Sequence, residues 1–150
     1  MTAELDPRLD AETHAVAALP SGTLRLVDDG RWFWAMIVPR DLAATELHHL
    51  APSERAALME DVACLSEAVE TITRCASVNV AMLGNVVRQL HCHVVARHEG
   101  DPAWPGPVWG HGTREPLDDK ERTRRMAALR THLGLDRAPY GKAANEGITR

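Results

Sequence analysis

The chain has 150 residues, enough for one domain around a single core. Its formal net charge is −4 and its isoelectric point about 6.0, so bulk electrostatics offer nothing to a polyanion and nucleic acid is excluded as a main partner. No apolar run approaches the length of a membrane span, and three cysteines without metal-type spacing fit reduced thiols better than a disulfide framework.

Met1 to Pro20 is mixed and polar and lacks the apolar centre of a signal peptide, so a cytoplasmic location is expected. Within it, residues 5–19 alternate small apolar and polar residues, which predicts a short leading helix. Leu24 to Val27 alternates as a strand. Asp28-Asp29-Gly30 is a turn signal, and Trp32 to Val38 is rich in aromatic and branched residues before Pro39. Together these predict a β-hairpin.

A helix follows, opened by Pro52-Ser53, with Ser53 as the expected N-cap and Glu54 in its first turn. Leu58, Val62, Leu65, Val69 and Ile72 form one apolar stripe. That stripe should lie across a sheet or pair with a second copy of itself. Ser77 to Leu83 alternates again and is broken by Gly84-Asn85. The next strand is Gln89-Leu90-His91-Cys92-His93-Val94-Val95, whose alternation sends Gln89, His91, His93 and Val95 to one face. Leu90, Cys92 and Val94 then face a core, where Cys92 is expected to be inert. The short link makes these two strands antiparallel neighbours.

His98 to Pro116 is a loop rich in proline and glycine, in which Trp104 and Trp109 read as packing residues before cover for a bound ligand or contact with a partner subunit. Asp118 to Leu133 reads as a second helix, with Asp118 and Glu121 as a capping pair and Gly134 beyond its end. Arg122, Arg124 and Arg125 read as its solvated face. The expected fold is α+β: an antiparallel sheet of about five strands with a long helix and a C-terminal helix on one face. One domain is expected over 1–134 and a weakly ordered tail over 135–150.

Two imidazoles two residues apart on a strand supply a nucleophile, base, acid or metal ligand at neutral pH. Their setting resembles the histidine-triad (HIT) family of nucleotide hydrolases and transferases, whose signature is His-x-His-x-His-x-x with apolar residues at x. His91 and His93 match its second and third histidines, and Gln89 stands at the first. Gly84-Asn85, the strand around Asn79 and the segment Met36-Ile37-Val38-Pro39-Arg40 also resemble the family, over roughly residues 20–110. The string from Gly84 through Trp104-Pro105-Gly106-Pro107-Val108-Trp109-Gly110 is similar to a bacterial branch in which the leading glutamine is usual. Trp34, five residues before Pro39, stands where relatives often carry another histidine. The paired replacement points to a rebuilt supporting layer with an amide and an indole as partners.

The resemblance implies that His91 attacks the α-phosphorus of a purine nucleotide, forming a covalent nucleotidyl-histidine that water cleaves. His93 would hydrogen-bond a phosphate oxygen or the leaving group. Gln89, Asn85 and Asn79 are candidate substrate contacts, and Asp28 or Asp29 a candidate for the ribose hydroxyls. Substrates implied are nucleoside phosphoramidates or dinucleoside polyphosphates, with no metal or other cofactor, and a homodimer is expected. Two other readings stay open: a nucleotide-binding module without catalysis, and a metal-dependent hydrolase in which His91 and His93 recruit a third ligand such as His98 or His111.

Overall fold

The computed structural model describes residues 3–136. Its centre is a five-stranded antiparallel sheet of order β1-β2-β3-β5-β4. The strands are β1 (Thr13–Ala18), β2 (Gly22–Val27), β3 (Trp34–Pro39), β4 (Ser77–Ala81) and β5 (Cys92–Arg97). The helices are α1 (Pro7–Glu12), α2 (Pro52–Thr73) and α3 (Asp119–His132).

Alternation sorts the sheet into two faces. Leu24, Leu26, Ala35, Ile37, Cys92, Val94 and Ala96 join the core beneath α2 and α3. Trp34, Met36, Val38 and Val95 belong to a second apolar cluster on the opposite face, with Leu9 of α1 and Val108 of the long loop. The α+β expectation with both main helices on one side therefore holds. The α2 stripe lies across the sheet: Leu58, Val62, Leu65 and Val69 are all buried within the chain.

Local details differ from the sequence reading. The leading helix ends at Glu12, and the alanine-rich stretch after it is strand β1, paired with β2 through an irregularity between Ala15 and Ala17. That bulge breaks strict alternation, and ladder pairing overrides the helical preference of alanine. The N-cap of α2 is Ala51 rather than Ser53, and the Glu54 carboxylate accepts from the Ala51 N–H at 2.7 Å. Asp118 does cap α3, accepting from the Glu121 N–H at 2.8 Å. Gly134 beyond it has φ +66°, the left-handed region where glycine costs least. Arg125 is no solvated residue: it is buried, and its Nη1 donates to the Trp32 carbonyl at 2.6 Å. Beyond Asp136 the expected tail lies outside the described residues.

The return from β5 is fixed by a buried clamp. Arg97 donates to both carboxylate oxygens of Asp101, at 2.7 and 3.1 Å, and to Asn79 Oδ1 at 2.8 Å. Asp101 also accepts from the Ala103 N–H at 3.0 Å. The clamp starts the loop that later presents Val108 and Trp109. Asp101→Ala is expected to cost about 3 kcal/mol, because it strands a buried guanidinium. Chemical denaturation of the two proteins checks this.

Candidate active site

The face opposite α2 and α3 holds a cleft of about 590 Å³. That is within the usual range for small-molecule sites. Its floor includes Trp34 and Met36 of β3 with His91 and His93, one wall is Arg8, Leu9 and Glu12 of α1, and another is Val108 to Gly112 of the long loop. Gly110 at φ +77° lets that wall turn back over the sheet.

β5 begins at Cys92, later than the alternation alone implies, because β3 pairs with it only from Ile37↔Cys92 onward and β4 ends at Ala81↔His93. His91 sits just before the ladder and His93 within it. Both rings are buried, at 5% and 7% exposure, yet both line the cleft. His91 Nδ1 is 2.7 Å from the Gln89 carbonyl oxygen. A carbonyl only accepts, so Nδ1 carries a proton and, in the neutral ring, Nε2 holds the lone pair. Nε2 has no partner among the described residues and is not among the polar atoms sealed from solvent.

His93 has the opposite tautomer. The Trp34 indole Nε1–H donates to His93 Nδ1 at 2.9 Å. An indole has no acceptor, so the His93 proton must be on Nε2. The ring lies against His91, Trp34 and Trp109 at centroid distances of 4.8, 5.4 and 5.5 Å. Burial, assisted by the neighbouring His91, lowers its pKa to about 3. Next to it, burial pushes the Cys92 thiol up to about 11, which suppresses the reactive thiolate.

The other expected contacts separate. Asn85 stays at the cleft, on its exposed rim. Gln89, Asn79 and Asp28 do not offer their side chains to it. Gln89 Nε2 donates to the carbonyls of Glu4 and Leu42, at 2.9 and 2.8 Å, and its Oε1 accepts from the Asp6 N–H at 2.9 Å. Asn79 is taken by Arg97. Asp28 accepts from the Leu117 N–H at 2.9 Å and pairs with Arg114 at 3.1 Å, tying the hairpin to the returning loop. Its neighbour Asp29 lines the cleft but is engaged by Arg31, which reaches its two oxygens at 3.0 and 2.7 Å. Glu12 and Arg8, which sequence reasoning missed, are exposed lining residues whose side chains form no hydrogen bond or ion pair among the described residues. No local pattern marks them, since α1 meets the cleft through Gln89. Trp109 had a signal, the stiff Pro-Gly-Pro run before it, which favoured plain packing over cover for a nucleotide or contact with a partner subunit.

Gln89→Ala is accordingly expected to loosen α1. Three side-chain hydrogen bonds to backbone are lost, at roughly 1 kcal/mol each at most. Amide exchange across residues 7–12 should accelerate while α2 is unchanged; equal acceleration in both would contradict a local latch.

Among the described residues, no three of His, Cys, Asp and Glu converge to hold a metal ion, and no helix is long and apolar enough to cross a membrane.

Comparison with known proteins agrees with this geometry. Residues 23–100 match the model of the HIT domain. A histidine triad protein of Sinorhizobium meliloti is 37% identical, with a TM-score of 0.85 over 87% of this chain and 97% of its own. One of Bradyrhizobium japonicum is 36% identical, with a TM-score of 0.85 over 89% and 99%. A third, from Marinobacter aquaeolei, is 34% identical, with a TM-score of 0.86 over 89% and 98%. No curated protein matches the chain. With the signature histidines at one cleft and solved relatives matching along nearly their whole length, the chain belongs to the histidine-triad (HIT) family.

Proposed function

We propose that the cleft hydrolyses nucleotides at the α-phosphorus through a covalent nucleotidyl intermediate on His91. The observation that carries this reading is the His91 Nδ1–H bond to the Gln89 carbonyl, which in the neutral ring reserves the lone pair for Nε2 on a side chain that lines the cleft. HIT proteins include nucleotide hydrolases and transferases, and the apolar floor suits a purine. His91 Nε2 attacks phosphorus, the bond to the leaving group breaks, and its electron pair departs with that group. Water then attacks the same phosphorus, and the electron pair of the P–N bond returns to Nε2. The water oxygen becomes a phosphate oxygen and its protons pass to solvent as the product ionises.

His93, with Nε2–H fixed as a donor, and Asn85 at the rim are the groups proposed to hold the phosphoryl oxygens. One such donor is typically worth about 10²–10³ in rate. Candidate substrates are nucleoside phosphoramidates and dinucleoside polyphosphates. The test is to mix the protein with both, quench in denaturant and weigh the peptide bearing His91. A nucleotidyl mass increment together with release of nucleoside monophosphate is expected. Tight binding with neither would instead leave a nucleotide-binding module without catalysis.

A homodimer is part of this proposal. Because the α2 stripe is consumed within the chain, support comes from β4, an edge strand whose Val80 is 48% exposed. Unpaired edges of this kind accept a second strand. Light scattering should give twice the 16.5 kDa chain mass, and Val80→Lys should reduce it toward the monomer. A monomeric wild-type protein contradicts the dimer. The unpaired cysteines support a cytoplasmic setting.

A further inference from the structure

We propose that Trp34 sets leaving-group specificity: by donating to His93 Nδ1 it makes His93 a hydrogen-bond donor that cannot deliver a proton, so the site favours anhydrides with acidic, anionic leaving groups over phosphoramidates. The inference rests on the nucleotidyl-His91 reading and narrows its substrate class.

Breaking a P–N bond releases an amine only if the nitrogen receives a proton, because the amide anion is too basic to leave. Breaking a P–O bond to a phosphate chain needs no proton, since the electron pair departs on an oxyanion that is already stable near neutrality. The group on the cleft face placed beside His91 to supply that proton is His93. To do so it must first be an imidazolium, with hydrogens on both nitrogens. Nδ1, however, receives the Trp34 Nε1–H at 2.9 Å. A proton there would set two N–H groups head to head, and the indole has no lone pair with which to adapt. Surrender of the Nε2 proton from neutral His93 would leave an imidazolate, more basic still than the amine it had protonated. Both routes are closed.

The surroundings act in the same direction. His93 is enclosed by the Trp34, Trp109 and His91 rings, and burial with the nearby His91 holds its pKa at about 3. Among the described residues no carboxylate pairs with its ring to stabilise the charge. Of the three arginines that line the cleft, Arg31 is held by Asp29 and Arg114 by Asp28, while Arg8 has no ion pair among the described residues and is the cation available to an anionic leaving group.

The experiment measures kcat/KM for diadenosine tetraphosphate and for adenosine 5′-phosphoramidate, with the His91 adduct trapped from each. General acid assistance is commonly worth 10²–10⁴-fold, so the anhydride is expected to lead by about 100-fold or more. Trp34→Phe keeps a ring in place but removes the N–H. In that variant the preference should shrink by about tenfold or more, because Nδ1 becomes free to take a proton. An amidate turned over as fast as the anhydride, with the adduct still on His91, overturns the proposal and leaves the covalent reading intact. So does an unchanged preference in folded Trp34→Phe. If that variant does not fold, the wild-type ratio alone decides. Absence of turnover and adduct with both substrates overturns the covalent reading and this inference with it.

Discussion

His91→Ala is expected to abolish nucleotide turnover, with a loss on the order of 10⁴-fold or more, and to remove the trapped adduct entirely. The size follows from the chemistry. Loss of a nucleophile removes the pathway, whereas loss of a donor only weakens it. Folding should survive, because the core layer of this segment is built by Leu90, Cys92 and Val94, which the substitution does not touch. Equal melting temperatures for wild type and variant, beside a rate that has vanished, would complete the expected pattern. Residual turnover within about tenfold of wild type would defeat the covalent mechanism, since the neighbouring His93 has no free lone pair with which to take over: Trp34 donates to its Nδ1.

Acid should destabilise the fold well before its carboxylates titrate. His93 has a pKa of about 3 in the folded protein, lowered by burial and then by His91, and about 6.5 in an unfolded chain. Above pH 6.5 neither state carries the proton and the group has no effect. Between 6.5 and 3 the unfolded state binds a proton that the folded state refuses, so stability falls by about 1.4 kcal/mol for each unit of acidification. From pH 7 to pH 4.5 the loss is roughly 2.7 kcal/mol, a substantial fraction of the 5–15 kcal/mol typical of a domain. Arginines hold Asp101 and Glu121 below the usual carboxylate range, which places their contribution at lower pH: it is present above about pH 4 and is lost as pH falls further. Denaturant titrations at pH 7 and 4.5 measure the difference. His93→Gln, which cannot titrate, should flatten it; an undiminished slope in that variant would assign the effect to another group.

Much of this architecture is readable from local pattern. The alternation of Leu90, Cys92 and Val94 against His91 and His93 separates core from cleft, and the α2 stripe names the residues buried on the sheet. The motif locates the two rings, because their neighbours on the strand dictate where they point. Pattern fails where a residue's role depends on a distant partner. Nothing near Gln89 announces that its amide is spent on backbone at Glu4, Asp6 and Leu42. Nothing near Thr13 to Ala18 announces a strand, since its pairing with β2 is irregular. Asp28 has the right chemistry for a ribose contact, but Leu117 and Arg114 claim it from the far end of the chain. Trp34 is visible from sequence as a replacement for an imidazole; that it fixes the tautomer of His93 follows only from the geometry.

The Gln89 latch has a consequence for the order in which the protein is assembled. Its amide joins residues 85 positions apart, Glu4 and Gln89. On a chain emerging from the ribosome, α1 has no anchor until the motif itself has been made, and contacts so remote in sequence close late. The β2–β3 hairpin can pair long before the wall over it is secured. A nascent protein thus presents its apolar floor early and gains the enclosure needed for chemistry only after the histidine motif has been made.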